Sequence, residues 1–255
     1  MHQVRSVTIE SNLANVYDAE FYRRRNDMTR YAAQKILKHV REILPPIDSA
    51  VDLGCGVGTW LSVLKDTGVR RVRGFDGPWV RKEYLEVPAE EFTEYDLTHE
   101  VRTGDRFALA ISLEVAEHLP PDSAQTIVRS LTNLSDFVLF SAAIPGQQGA
   151  SHVNEQWPDY WASLFHERGY LPLDPIRRRI WADANIPYPY RQNIILFVQS
   201  QRVEDLRIPV AIADAAALPL VHPELFNAIN STSISRALHD LKHAVGDRLW
   251  RRSAG

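Results

Sequence analysis

Asp52-Leu53-Gly54-Cys55-Gly56-Val57-Gly58-Thr59-Trp60 turns a strand into a helix through three closely spaced glycines, and the fold follows from it. Upstream, Ile47-Asp48-Ser49-Ala50-Val51 is a short apolar strand signal after the breaker Pro45-Pro46. Downstream, Trp60, Leu61, Val63 and Leu64 mark a helix that should end near Gly68. Gly54 and Gly56 can take positive φ and leave no Cβ between a ligand and the backbone, while the first N–H groups of the helix offer a polar rim. A dinucleotide fingerprint needs G-x-G-x-x-G. Here the third glycine is Gly58 and position 59 is Thr, which argues against a nicotinamide cofactor.

A second strand signal, Arg71-Val72-Arg73-Gly74-Phe75, ends in Asp76, about twenty residues past the turn, where a carboxylate can accept from both hydroxyls of a ribose. Asp-Leu-Gly-Cys-Gly-x-Gly followed by such an Asp resembles the cofactor site of class I S-adenosylmethionine-dependent methyltransferases, across residues 47 to 200. The resemblance implies cofactor contacts at Asp52, Gly54, Cys55, Gly56, Gly58 and Asp76. It also places Asp96 and Leu97, in Glu94-Tyr95-Asp96-Leu97, at the adenine amino group, and Trp79 over the adenine face. Phe107-Ala108-Leu109-Ala110-Ile111-Ser112-Leu113-Glu114 resembles the fourth strand, whose end, Leu113 and Glu114, runs beneath the methionine part. Plainer readings stand beside these: Asp76 capping the turn before Gly77-Pro78, Asp96 solvated in a loop, Trp79 packing on Pro78. Cys55 is the only cysteine, so no intramolecular disulfide forms, and its neighbours suit a small buried packing residue better than a nucleophile.

The chain has 255 residues, enough for one large core with an appended element. A net charge of −3 and a pI near 6.3 provide no global positive field for nucleic acid or an anionic membrane. Met1-His2-Gln3-Val4-Arg5 carries no apolar signal region and no run approaches about eighteen apolar residues, so the expectation is a cytoplasmic protein without a membrane span.

Met28, Ala32, Ile36, Val40 and Ile43 follow helical spacing and predict a helix over 28–44, preceded by a polar arm with Tyr17, Phe21, Tyr22 and Arg23-Arg24-Arg25. The arm reads either as a solvated charge run or, by resemblance, as a flap reaching the methionine carboxylate. Asp122 to Leu134 reads as a helix, Asp136 to Ser141 as a fifth strand, Ile144 to Gly149 as loop, and Glu155 to Arg168 as a helix closed by Gly169. Two last strands, near Leu173 to Trp181 and Asn193 to Gln199, flank a Pro- and Tyr-rich insert at about 182–191 that would serve as a lid. Strands alternating with helices predict an α/β, doubly wound, Rossmann-like, mostly parallel sheet with ligands at its carboxyl edge. The resemblance adds a seventh, antiparallel strand. The expected divisions are an N-terminal arm and helix (1–46), the methyltransferase core (47–202) and a C-terminal helical extension (203–255). In the extension, Ile234, Leu238, Leu241, Val245 and Leu249 form a stripe that either packs on its own domain or makes a homodimer.

Glu114-Val115-Ala116-Glu117-His118-Leu119 follows the fourth strand; in a helical turn Glu114, Glu117 and His118 would share a face able to hold a divalent cation. His152, just past the loop after the fifth strand, is the candidate base beside the acceptor. Glu114, Glu117, His118 and His152 resemble the Glu-x-x-Glu-His plus distal His metal site of small-RNA 3′-end 2′-O-methyltransferases, and ubiquinone-pathway O-methyltransferases carry a similar stretch. The same residues also read simply as the close of a strand. Gln147, Gln148, Asn154, Glu155 and Asn185 could hydrogen-bond sugar hydroxyls; Tyr188, Tyr190 and Arg191 are lid candidates. The expectation is O-methylation of a small polar acceptor such as a sugar, with no nucleic-acid or membrane partner. Its alternatives are metal-assisted 2′-O-RNA or N/C-methyl transfer, and a silent cofactor-binding subunit of an active partner.

Overall fold

The computed structural model describes the backbone of residues 19–230 and the side chains of 27–230. The side chains expected in the N-terminal arm and the stripe from Ile234 to Leu249 lie outside the described residues. The first compact unit extends to Pro219. Of the second, which begins at Leu220, the described helix α7 (Pro223–Asn230) buries Leu225 and exposes Phe226 and Ile229.

Seven strands form one sheet: β1 (Ser49–Leu53), β2 (Arg71–Asp76), β3 (Phe92–Glu94), β4 (Leu109–Leu113), β5 (Phe137–Ser141), β6 (Tyr170–Leu173) and β7 (Ile195–Gln199). Their order is β3-β2-β1-β4-β5-β7-β6, with β7 antiparallel to both neighbours and the first five strands parallel. The Rossmann-like sheet with an antiparallel seventh strand is thus as expected. Residues of β1, β4 and β5 are buried throughout, because helices cover both faces and leave no wet side to alternate with.

Alternate strand residues feed two cores. On one face Ile36 and Val40 of α1 (Ala19–Ile43) and Leu61 and Leu64 of α2 (Thr59–Asp66) meet Ala50, Leu109, Ile111 and Leu139. On the other, Ile127 and Leu131 of α3 (Ala124–Leu134) and Trp161 and Phe165 of α4 (Pro158–Glu167) meet Val51, Leu53, Ala110, Val138 and Phe140.

Three expected boundaries shift for local reasons. Helix α1 starts at Ala19 rather than Met28, since the polar stretch before Met28 is rich in helix formers and lacks a breaker. Helix α4 starts at Pro158, a residue suited to a first helical position and unable to continue a turn from before it. Strand β6 stops at Leu173: Asp174-Pro175 breaks the ladder, and Arg177 opens the short helix α5 (Arg177–Ile180) with its guanidinium on Asp174 at 2.7 and 2.9 Å. The insert closes as α6 (Tyr188–Asn193), which leads directly into β7. Among the described residues no helix is long and apolar enough to cross a membrane.

Because β1 pairs with β2 on one side and β4 on the other, the chain's direction of travel reverses between β1 and β4. A crevice at the carboxyl edge opens at such a switch point.

Candidate active site

At β1 the turn adopts the backbone its glycines allow: φ is 88° at Gly54, 54° at Gly56 and 85° at Gly58. A Cβ on Gly54 would stand 2.3 Å from Val115 Cγ2, and one on Gly58 would stand 2.8 Å from Val87 Cγ2. A Cβ on Gly56 meets nothing within 4 Å, so this glycine faces open space. The three glycines therefore differ: two are closely packed and one borders open space.

Asp76 ends β2 against that turn. Its Oδ2 accepts from Gly56 N at 2.6 Å and its Oδ1 from Gly77 N at 2.7 Å. Each oxygen keeps acceptor capacity for a diol. Burial pushes the Asp76 carboxyl up, opposed by the N–H donors of Gly56, Gly77 and Trp79. Asp52 is buried in β1 and pushed well up by desolvation and by the nearby Asp76 charge. The Trp79 ring lies over Gly77 and is 77% exposed, an aromatic face available beside Asp76. Leu97 and Leu113 are buried, whereas Asp96 is exposed and spends Oδ1 on Thr98 N at 2.9 Å and Thr98 Oγ1 at 2.7 Å. Cys55 packs its sulfur against Gly74, and burial raises its thiol far beyond the nucleophilic range.

Beyond Glu114 a cavity of about 590 Å³ opens. Its lining comprises the polar Glu114, Glu117, His118, Gln147, Gln148 and His152 from the ends of β4 and β5, with Met28 and Thr29 of α1 and Pro187, Tyr188, Pro189 and Tyr190 of the insert. Tyr190 also meets Trp60 edge to face at 5.5 Å, so the insert seats on the first turn of α2. A larger hollow, about 790 Å³ between α1, α2 and residues 207–208, holds none of the expected site residues.

The expected helical face of Glu114, Glu117 and His118 does not form. Glu114 takes φ 55°, which ends the strand with a left-handed residue, and only Ala116–His118 makes a single 3₁₀ turn. Glu117, His118 and His152 still converge, each offering a ligand atom within 4.8 Å of the others. Glu114 stands outside that group and accepts instead from Gln147 Nε2 at 2.8 Å and Asn193 Nδ2 at 3.1 and 3.3 Å. Glu117 is 1% exposed, its Oε2 has no hydrogen-bond partner, and burial with the Glu114 charge pushes its carboxyl up to about 9. Its own carbonyl accepts from Val153 N at 2.9 Å and Asn154 N at 3.0 Å, which brings His152 alongside. The two imidazoles lie edge to face at 4.8 Å.

His152 Nδ1 is 2.7 Å from Glu155 Oε1. The same carboxylate accepts from Gly146 N and Gln148 N, both at 2.8 Å, and so closes the loop on itself. Against this carboxylate Nδ1 is the donor, and Nε2 is the ring nitrogen outside the contact. Glu155 in this part was not anticipated, although His-x-x-Glu was visible; nor was Asn193 at Glu114, which no local pattern marks.

A family model described as "Methyltransferase domain" matches residues 22–178. Among solved structures, DesVI of Streptomyces venezuelae superposes with a TM-score of 0.50 at 15% identity, over 77% of this chain and 99% of that one. The methyltransferase domain of a bacterial CtHen1-CN is 20% identical over 68% of this chain and 98% of that one, TM-score 0.47. LaPhzM is 16% identical over 76% of this chain, TM-score 0.46, and only 62% of its length is spanned. At these identities the likeness concerns the fold. A search among curated proteins returned no match.

Proposed function

The chain belongs to the S-adenosylmethionine-dependent methyltransferase family matched over residues 22–178, and from that premise we propose that it methylates an oxygen of a small polar acceptor. What carries the reading is the His152–Glu155 pair, in contact at 2.7 Å through Nδ1, at a cavity that Glu114 also lines. The open space at Gly56 and the two carboxyls at Asp52 and Asp76 suit the cofactor: an uncluttered backbone and acceptors for a ribose diol. When bound, the sulfonium supplies an already activated methyl group. The chain's task is alignment, which can contribute roughly 7–11 kcal/mol, and removal of a hydroxyl proton, worth about 10²–10⁴ in rate.

In this mechanism His152 Nε2 takes the acceptor's proton while Glu155 holds the ring and steadies the imidazolium that forms. Tyr188 and Tyr190 with Met28 cover the acceptor's less polar side and exclude water, while Gln147 and Gln148 receive its further hydroxyls. The test is a panel of sugars and phenols scored by S-adenosylhomocysteine release. Methylation of amines or carbon acids alone, with every hydroxylated compound inert, would overturn the oxygen specificity.

One observation favours a metal-assisted variant: Glu117, His118 and His152 converge, and the buried Glu117 Oε2 lacks a partner. Two imidazoles and a carboxylate suit a borderline divalent ion such as Mn²⁺ or Zn²⁺, which would lower the pKa of a bound hydroxyl. His152 would then be a ligand and not the base. Activity abolished by chelation and restored by Mn²⁺ selects this variant; full activity after exhaustive chelation retires it.

A further inference from the structure

The hollow of about 790 Å³ between α1 and α2 lies apart from the crevice. Helix α2 leaves the glycine turn at Thr59 and meets the hollow through Val63 and its C-terminal cap Thr67, eight residues or about 12 Å along. Lys38 and Arg41, one turn apart on α1, line it together with Leu37; Arg207 and Ile208 come from the segment after β7. Arg207 N donates to Ile43 O at 2.8 Å, which fastens that segment to the end of α1. Leu37 and Val63 are 1% and 2% exposed, whereas Lys38, Arg41 and Arg207 are exposed. The lining thus joins three cations to apolar groups.

Those cations are not engaged by the protein itself. Among the described residues the side chains of Lys38, Arg41 and Arg207 make no hydrogen bond or ion pair. Glu42, the single carboxylate among the described lining residues, accepts from Arg179 Nη1 at 3.0 Å and lies 3.3 Å from His39 Nδ1. Its carboxyl is held low by His39 first, then by the Arg179 and Lys38 charges. Asp66 of α2 is taken by Arg30 at 3.0 Å, and Asp205, two residues before Arg207, by Arg202. Helix-end carbonyls do not occupy the cations either: Val40 O accepts from Leu44 N at 2.9 Å, Ile43 O from Arg207 N, and Leu64 O from Thr67 N and Oγ1 at 3.0 and 2.8 Å. In a chain of net charge −3, three cations against one carboxylate leave a local excess of two positive charges. Such an excess is complementary to a dianion, and guanidinium forks match the oxygens of a phosphate.

We propose that this hollow is a second ligand site, for a phosphate monoester with an apolar body. The dianion sits among Lys38, Arg41 and Arg207, and the body on Leu37, Val63 and Ile208. The volume suits a small molecule, whose pockets run to about 300–1,000 Å³. Calorimetry would use 1-naphthyl phosphate as the probe and inorganic phosphate as the control without a body, with excess S-adenosylhomocysteine present to occupy the crevice. The parent chain should bind one equivalent of 1-naphthyl phosphate with a Kd below about 1 mM, and inorganic phosphate at least about tenfold more weakly. Arg41→Gln and Arg207→Gln should each lower probe affinity about three- to tenfold, and the double variant by more than about tenfold. Both side chains are exposed, so the variants should keep their fold, which circular dichroism checks. Their affinity for S-adenosylhomocysteine should equal the parent's. Absence of saturable binding in the parent, equal probe affinity in parent and double variant, or a parallel loss of S-adenosylhomocysteine affinity overturns the second site. Inorganic phosphate bound as tightly as the naphthyl ester overturns the assignment of a ligand with an apolar body.

Discussion

At the β1 turn, three glycines and two backbone N–H groups on Asp76 shape the site; at the ends of β4 and β5, side chains from separate segments shape it. The first region tolerates no added atom at Gly54 or Gly58. The second is lined by ionisable side chains, above all Glu117 and His152, the latter held by Glu155 behind it. Substitutions at the turn should therefore act on stability and donor affinity, and substitutions at the cavity on turnover and pH response.

The largest contrast is expected at His152. In His152→Ala, S-adenosylhomocysteine affinity by calorimetry should hold while turnover falls by about 10²–10⁴. Glu155→Gln should lose less turnover but also loosen the loop from Gly146 to Glu155, which the carboxylate ties through two backbone N–H groups. Equal losses of donor affinity and turnover in His152→Ala would erase the division between the two regions. Gly54→Ala sits on the opposite side of that division. Forced φ 88° costs about 1–2 kcal/mol and the clash with Val115 about 1–3 more, so denaturant melts should show a loss of about 2–5 kcal/mol. Adding Val115→Ala should recover part of it.

The cavity should show its own signature through Glu117. Its carboxyl is pushed up to about 9 in the folded chain, above the ordinary carboxylate value. The folded state then holds a proton that the unfolded chain releases at lower pH. Glu117 accordingly contributes stability that is complete below the unfolded value and is lost as pH rises toward about 9. In chelator-treated protein the loss should approach at most about 1.4 kcal/mol per pH unit across that window, and Glu117→Gln should flatten it. An added divalent ion held by Glu117, His118 and His152 would flatten it too, because the ligand form is the ionised one. A parent chain with no slope between pH 6 and 8 would mean that the carboxyl is not held neutral.

How far each region could be read from sequence follows from the same contrast. The turn and Asp76 lie about twenty residues apart on adjacent strands, and glycine spacing expresses a backbone requirement directly, so both were legible. The cavity depends on partners far apart in the chain: Gln147 lies 33 residues and Asn193 79 residues from Glu114. No short-range pattern records such a pairing. The Glu-x-x-Glu-His stretch was visible, but its spacing suggested a helical face, and the left-handed Glu114 splits the pair between two sets of partners. Helix α1 was half legible for a different reason: its apolar stripe begins at Met28, whereas its polar first turns carry propensity without periodicity.

Gly56→Ala gives the finest test, because it changes the same atoms as Gly54→Ala in a place with room. At Gly56 φ is 54° and a Cβ would meet nothing within 4 Å, so only the left-handed strain of about 1–2 kcal/mol opposes it. Stability should fall less than in Gly54→Ala by the whole of the steric contribution. Donor affinity should nevertheless fall, since the new methyl group occupies the space in which a ligand would touch bare backbone. A small stability loss together with weakened S-adenosylhomocysteine binding would establish Gly56 as the ligand-facing glycine. If the variant bound S-adenosylhomocysteine as tightly as the parent, that space would belong to solvent, and the donor's seat would have to shift along the crevice toward Trp79.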